Sequence, residues 1–295
     1  MSVPQRVTAI RQALGGVGVW TNTVQREPAA VQREVVARIE ALGYRSVWQG
    51  EVVGANDVFA QEAVWLAATS RIVAGTGIAN IWARHGSTAR AAAATLADAW
   101  PGRFVLGLGV SHAPMVEQSG QSYRHPLQRM REYLTALGDT PAALPVVLAA
   151  LGPRMLELAA DRTDGAHTYF VPPEHTAEAR AALGPDRLLI PEQAVVVETS
   201  PQVAREVARR HTVRYLQLPN YVNNLRRLGL ADEDLAGAGS DRLVDAIVAW
   251  GTPADIVERV KAHHDAGADH VLVQPLGEGP NDTLRQLEEL APLLG

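Results

Sequence analysis

Two side chains that could transfer protons, Glu51 and His112, directly follow or lie close to short apolar runs typical of buried strands. A carboxyl or imidazole group acts as a general acid or base when it is held near the reacting atoms, and histidine does so close to neutral pH. Each residue also has an ordinary interpretation, as a solvated loop carboxylate for Glu51 and as a hydrogen-bonded loop side chain for His112. The sequence offers both as candidates for catalytic proton transfer.

Glycine recurs in two of these apolar runs, AGTGIANIW and LGLGVSHAP, which contain Gly77 and Gly109. Glycine weakens a strand, so its presence near a strand end often marks a bulge or a ligand that approaches the backbone closely. The alternative is a tapering barrel interior that needs small residues. For Gly77, which precedes the β-branched Ile78, we favour a ligand.

A third segment, ALGPRMLELAADRTDG, places Gly152 and Pro153 between a predicted strand and a helix that begins at Arg154. The free N–H groups at such a helix N-terminus attract phosphate. A simple loop before a proline-initiated helix is the alternative. A second loop, TYFVPPEHT, follows one strand later and favours a phosphate site, because barrels commonly bind phosphate on neighbouring late loops.

Composition excludes or disfavours several kinds of chemistry. The absence of cysteine excludes disulfides, thiolate metal sites and a cysteine nucleophile. The nine histidines show no metal-ligand spacing, and there is no G-x-S-x-G motif. A net charge of −5 argues against a nucleic-acid partner, and no apolar run has the length of a membrane helix or the position of a signal peptide core. We therefore expect a cytoplasmic protein that binds a small molecule and neither metal, nucleic acid nor membrane.

Short β-branched runs alternate with amphipathic segments along the whole chain. The predicted strands cover residues 16–20, 45–48, 72–79, 104–109, 146–149, 167–171, 194–198 and 270–274. The predicted helices cover residues 28–42, 58–69, 87–99, 128–137, 154–161, 176–183, 201–211, 253–266 and 282–293. This alternation predicts an α/β fold, a single (β/α)₈ TIM barrel over residues 1–295. A doubly wound sheet has the same alternation, but GVGVWTNT after the first strand lacks its G-x-G-x-x-G loop.

The excess length forms an insertion at about residues 213–250, between the seventh and eighth predicted strands. Asn220, Tyr221, Asn223 and Asn224 lie in it, where they could line a pocket or cap a helix. Long loops in compact domains are often functional lids. In a TIM barrel the site lies at the carboxyl ends of the strands, so the segments described above should converge there.

Four longer segments carry a resemblance that runs along almost the whole chain. They are ALGYRSVWQGE, RIVAGTGIANIWARHGSTARAAAATLADAWPGRFVLGLGVSHAP, LGPRMLELAADRTDGAH and WGTPADIVERVKAHHDAGADHVLVQ. In order and spacing these segments resemble the bacterial luciferase-like oxidoreductase family, and more closely its deazaflavin-dependent (coenzyme F420) branch. The resemblance implies a (β/α)₈ barrel with an insertion, in agreement with the strand pattern.

The resemblance also implies positions for the cofactor. A non-proline cis peptide at Gly77–Ile78 would form a bulge that backs the isoalloxazine ring, and the loop that begins at Leu151 would hold the ribityl phosphate. The implied cofactor-binding residues are Gly77, Ile78, Ala79, Asn80, Gly109, Val110, Ser111, Leu151, Gly152, Pro153, Met155, Tyr169, Phe170 and Val171.

The resulting hypothesis is an F420-dependent oxidoreductase that moves a hydride between the cofactor and a small organic substrate. His112 matches a position where relatives carry an acid, whereas the Asp-His pair of many deazaflavin enzymes corresponds here to Glu51-Val52, so the proton could be transferred by His112 or Glu51. The predicted substrate pocket contains Trp20, Asn22, Trp82 and Tyr221. An FMN-dependent monooxygenase and a barrel that binds its ligand without turnover are the alternatives, and a homodimer is possible because relatives are commonly dimers.

Overall fold

The computed structural model describes residues 2–54 and 57–294, in which strands and helices alternate as the sequence predicts. The strands are β1 (Val17–Trp20), β2 (Ser46–Gln49), β3 (Val73–Thr76), β4 (Ala79–Asn80), β5 (Phe104–Gly109), β6 (Val146–Ala149), β7 (Gly165–Thr168), β8 (Leu188–Val197), β9 (Val248–Gly251) and β10 (Val271–Pro275). The helices are α1 (Val3–Leu14), α2 (Ala29–Ala41), α3 (Val58–Ala68), α4 (Gly86–Ala99), α5 (Ala113–Gln118), α6 (Pro126–Leu137), α7 (Pro153–Arg162), α8 (Pro173–Leu183), α9 (Pro201–Tyr215), α10 (Pro219–Arg227), α11 (Asp232–Leu235), α12 (Asp241–Ile247), α13 (Pro253–Asp265) and α14 (Pro280–Leu294).

Eight parallel strands close into a barrel in the order β1, β2, β3, β5, β6, β7, β8 and β10. The ring closes where β10 pairs with β1 on one side and with β8 on the other. The predicted (β/α)₈ barrel is therefore confirmed. Between β8 and β10 the chain forms α9 to α13 and β9, and β9 pairs with the last four residues of β8. This region includes the predicted insertion.

Three of the predicted strands differ from the observed ones by more than one residue. The run 72–79 divides into β3 and β4, because the Thr76 hydroxyl both accepts from the Gly107 N–H and donates to the Gly107 carbonyl, in place of a backbone partner. The sixth predicted strand, 167–171, is shifted to Gly165–Thr168, so Tyr169 lies in the loop that follows. The seventh predicted strand, 194–198, corresponds to β8, which begins earlier, at Leu188. The sequence pattern missed this start because Pro191 and Glu192 interrupt the apolar run, although both are buried inside β8.

Helix α1 closes the amino-terminal end of the barrel. Its apolar face, Val7, Ile10 and Leu14, packs against inward-facing strand residues in one buried cluster. Arg6 pairs with Asp164 just before β7, and Arg11 pairs with Asp269 just before β10. The site must therefore lie at the opposite, carboxyl-terminal end, as the barrel architecture requires.

Candidate functional site

A cavity of about 1060 Å³ lies at the carboxyl ends of the strands, and α10 contributes to its wall. It is large enough for a cofactor-sized molecule. Most residues predicted for the site line this cavity: Trp20, Asn22, Glu51, Gly77, Ile78, Gly109, Val110, Ser111, His112, Leu151, Gly152, Pro153, Met155, Tyr169 and Tyr221. The structure thus brings together residues from six strand ends and from the insertion.

Five predicted residues lie outside the cavity wall. Ala79 and Asn80 form β4 and are buried against β5, and Phe170 and Val171 are buried beyond Tyr169. Trp82, expected in the substrate pocket, instead donates its indole N–H to the Val110 carbonyl at 2.8 Å and stacks near Tyr123. Trp82 therefore contacts two residues that line the cavity, Val110 and Tyr123, without lining it itself.

The wall formed by Gly77 and Ile78 is a backbone bulge between β3 and β4. The Gly77–Ile78 peptide is cis, as the resemblance implies. The Gly77 N–H donates to the Gln49 carbonyl at 2.6 Å, and the Trp20 indole donates to the Gly77 carbonyl at 3.1 Å. A Cβ at position 77 would lie 2.7 Å from the Trp20 indole nitrogen, so only glycine fits there.

Glu51 holds this bulge in place from the loop after β2. Its N–H donates to the Ile78 carbonyl at 2.9 Å, and its carboxylate accepts the Asn80 N–H at 2.8 Å. Arg84 binds both oxygens of the same carboxylate and also reaches Asp57. Because these donors occupy the buried carboxylate, the geometry favours a positioning role for Glu51 over transfer of a proton.

Removal of Arg84 would leave Glu51 as a buried charge without its partner. We expect Arg84→Leu to lower the free energy of unfolding by about 3 kcal/mol or more, measured by urea denaturation at pH 7. The matched control is Arg38→Leu, whose pair with Glu288 has both side chains about half exposed and should contribute less than about 1 kcal/mol. Equal effects of the two substitutions would contradict the assigned role of Arg84.

His112 begins α5 and lies opposite α10. Its Nδ1 is 3.2 Å from the Asn220 side-chain oxygen, and its ring contacts Tyr221 with 5.4 Å between centroids. An amide oxygen can only accept, so Nδ1 carries the proton and Nε2 has a free lone pair. Burial lowers the pKa of His112 below its usual 6.5, while the Asn220 hydrogen bond raises it in part. The imidazole is therefore mainly neutral at pH 7.

The cavity also reaches the N-terminus of α7. Gly152 is the N-cap residue and provides no side-chain cap, and Pro153 occupies the first turn. Pro153 has no N–H, and the Met155 N–H donates to the Gly152 carbonyl at 3.1 Å, so the Arg154 N–H is the donor of the first turn that remains for an anion. A Cβ at position 152 would have no atom within 4 Å, so the space above this helix end is open. The N-terminus of α7 therefore lies open at this end of the cavity.

Aromatic rings form much of the remaining wall and floor. Tyr169 contacts Trp20 and Tyr215 with centroid distances of 5.1 and 5.3 Å, and its hydroxyl lies 2.7 Å from that of Tyr215. His167 also reaches the cavity, and it donates from Nδ1 to the Ile190 carbonyl at 2.7 Å. Burial lowers the pKa of His167 to about 4, so this ring is neutral at pH 7.

Sequence reasoning missed several residues of this site. Arg84 and Tyr215 lie on helices or loops without a recognisable motif, and His167 belongs to the histidines set aside because they show no metal-ligand spacing. The signal available for His167 was its place as the first residue of the predicted strand 167–171, where alternation gives every second side chain to the barrel interior. Asn220 was noticed in the insertion, but its hydrogen bond to His112 depends on the tertiary fold.

Among residues 2–54 and 57–294, no cluster of three or more His, Asp or Glu side chains is arranged to hold a metal ion. Within the same ranges, every helix is too short or too polar to cross a bilayer.

Comparisons with known proteins agree with this architecture. The 5,10-methylenetetrahydromethanopterin reductase of Archaeoglobus fulgidus is 23% identical over 86% of this chain and 93% of its own length. The structure of an F420-dependent secondary alcohol dehydrogenase in complex with an F420-acetone adduct superposes with a TM-score of 0.75 and 14% identity, covering 95% of this chain and 99% of that one. The FMN complex of the oxygenating constituent of 3,6-diketocamphane monooxygenase from Pseudomonas putida gives a TM-score of 0.69 and 14% identity, covering 94% of this chain and 98% of that one.

The family description "luciferase-like monooxygenase" matches residues 12–140 and 136–270, which together span most of the barrel. The two matched ranges include the bulge, His112, the N-terminus of α7 and the insertion. The resemblance noted in the sequence is thereby confirmed, and the chain belongs to the luciferase-like monooxygenase family.

Proposed function

We propose that the protein is an F420-dependent oxidoreductase that transfers a hydride between the deazaflavin and a small organic substrate. The observation that carries this proposal is that one cavity contains the Gly77–Ile78 bulge, the N-terminus of α7 and the neutral imidazole of His112. The similarity to the F420-dependent secondary alcohol dehydrogenase supports the deazaflavin.

The residues of the cavity fit such a cofactor. Gly77 and Gly109 contribute no side chain to the wall, and the side chain of Ile78 packs against Gly109, so that an apolar surface is available to a flat ring system. The helix end at Gly152 offers the Arg154 N–H to a phosphate. When bound, the deazaflavin supplies a ring carbon that accepts or donates hydride.

His112 would handle the proton that accompanies the hydride. With Nδ1–H directed to Asn220, its free Nε2 can accept the proton of a substrate hydroxyl in the oxidation direction and return it in the reduction direction. Glu51 acts as a positioning residue, because its carboxylate is bound by Arg84 and the Asn80 N–H. These assignments separate two roles that the sequence left open.

The outer part of the cavity favours a substrate with an apolar body. Val52 and Met115 line the cavity and remain 45% and 43% exposed, although most large apolar side chains of the described residues are buried. Trp20 and Tyr221 extend the apolar surface, while Asn22 adds an amide for one polar contact. An alcohol, aldehyde, imine or activated alkene would suit this combination.

The second candidate is an FMN-dependent monooxygenase. Its support is the structural similarity to the FMN-bound diketocamphane monooxygenase component. The two cofactors share the ring shape and the phosphate, but a flavin reacts readily with oxygen whereas a deazaflavin, with carbon in place of the reactive ring nitrogen, does so poorly. The identity of the cofactor therefore decides between hydride transfer alone and oxygenation.

A side-by-side titration of the purified protein with F420 and FMN tests the proposal, followed by ring fluorescence in the oxidised and reduced states. We expect F420 to bind at least ten times more tightly than FMN. Preference for FMN would overturn the proposal in favour of the monooxygenase. Binding of neither would remove both enzyme assignments, and tight binding without turnover in a broad substrate screen would support a non-catalytic barrel.

A further inference from the structure

We infer that α10, in the insertion, supplies the second half of an oxyanion site whose first half is the N-terminus of α7, with Asn224 as a direct ligand. The inference rests on the proposed function, in which the oxyanion is the phosphate of the cofactor. The argument depends on the orientation of one buried amide, on the contacts that join α10 to the loop before α7, and on the charges around them.

Asn224 has a fixed amide orientation. Its residue surface is only 5% exposed, and its side-chain oxygen accepts a hydrogen bond from Arg227 at 2.6 Å. Because a guanidinium can only donate, the oxygen must face Arg227 and the NH₂ group must face the other way. Asn224 lines the cavity, and its Nδ2 is buried without a hydrogen-bond partner among the described residues.

A buried donor without an acceptor costs about 1–3 kcal/mol. Such groups in native proteins call for an explanation, and a ligand that supplies the acceptor is one of them. The Asn224 amide has two N–H donors and no negative charge, which suits the oxygen of an anion that is also held by positive partners. The buried amide is therefore evidence for a ligand that is independent of the helix N-terminus.

Several contacts place Asn224 beside the loop that precedes α7. Leu151 packs in the same apolar cluster as Tyr221 and Leu225 of α10. Arg227 pairs with Glu178 of α8, and one turn earlier in α8 His175 binds the Leu151 carbonyl at 2.8 Å. Helix α8 thus links the end of α10 to the residue that directly precedes the Gly152 N-cap.

The charges at this end of the cavity favour an anion. Arg154 lines the cavity in the first turn of α7 and forms no ion pair with another of the described residues. Arg227 lines the cavity as well, but its charge is offset by the pair with Glu178, so its part in the site is to orient Asn224. Asn224 is then a binding residue and Arg227 its positioning residue. The insertion therefore takes part in holding the cofactor, in addition to covering the cavity.

The test compares ligands with and without phosphate in the full-length protein. Dissociation constants would be measured by fluorescence for FMN and riboflavin, and for F420 and its phosphate-free ribityl deazaflavin, with wild type and Asn224→Ala. We expect Asn224→Ala to weaken the phosphate-bearing ligands by roughly 10- to 100-fold and the phosphate-free ligands by less than about twofold. Asn281→Ala is the matched control, since Asn281 is an exposed asparagine of α14 that does not line the cavity, and it should change the binding of neither ligand class.

Two outcomes would overturn the inference: equal weakening of both ligand classes by Asn224→Ala, or no weakening of either. Inorganic phosphate provides a probe that does not depend on the ring, through the rise in Tm that it causes. A phosphate-dependent rise in wild type that is lost in Asn224→Ala, with neither cofactor bound, would support the oxyanion site while overturning the proposed function. A rise of the same size in both proteins would overturn the site.

Discussion

Replacement of His112 by alanine is expected to lower kcat by about 10²- to 10³-fold, the usual contribution of a general acid or base. The affinity for the cofactor should change little, because the bulge and the α7 end of the cavity are built from other residues. Steady-state kinetics with a substrate from the screen and the fluorescence titration measure the two effects separately. Retention of full turnover would refute the role assigned to His112.

The pH dependence provides a second check on His112. In the oxidation direction the neutral imidazole is the active form, so the rate should be constant above the pKa of His112 and fall as the pH decreases through it. Burial places this pKa below 6.5. In Asn220→Asp a carboxylate beside Nδ1 would raise the pKa of His112, and the falling limb should move to higher pH. Asn220→Ser, which keeps an acceptor without adding charge, is the control, and an unchanged profile in Asn220→Asp would contradict proton transfer by His112.

The largest effect on stability is expected at Gly107, in the middle of β5. A Cβ there would lie 2.0 Å from the backbone oxygen of Thr76. The Thr76 side chain is itself held by two hydrogen bonds to Gly107, so neither partner can rotate away and the strands must separate. We expect Gly107→Ala to lower the free energy of unfolding by more than about 3 kcal/mol, at the upper end of overpacking effects.

Urea denaturation followed by far-UV circular dichroism measures this loss. The matched control is Gly152→Ala, because an added Cβ there meets no atom within 4 Å and the φ of −87° suits any residue. The free energy of unfolding of Gly152→Ala should stay within about 0.5 kcal/mol of that of wild type. Similar midpoints for the two variants would show that β3 and β5 adjust more easily than the packing indicates.

The barrel and the end of the barrel that carries the site could be predicted from the sequence. Alternation of β-branched runs with amphipathic helices depends on local pattern, and Gly77, His112 and Gly152 follow directly from the strand ends. The break at Gly77 was also accessible, since glycine before a β-branched residue at a strand end signals a bulge. The early start of β8 could not be predicted from the sequence, because Pro191 and Glu192 become strand residues only when the barrel closes around them.

Contacts between distant segments account for what the sequence could not reveal. Arg84 meets Glu51 across 33 positions, and Asn220 meets His112 across 108. Trp82 was assigned to the substrate pocket as an aromatic residue near a strand end, yet a single turn directs its ring behind Val110. Residue type and spacing identify the neighbourhood of such a side chain, whereas its direction depends on the tertiary fold.

The helix α1 at the base of the barrel has a kinetic consequence. Because Val7, Ile10 and Leu14 seal that end, two molecules that occupy the cavity together must both pass through the opposite end. The molecule that binds deeper in the cavity must enter first and leave last. Such a geometry gives a compulsory order of addition. An excess of the outer molecule should inhibit the enzyme, because it would bind to the empty cavity and block entry of the inner molecule.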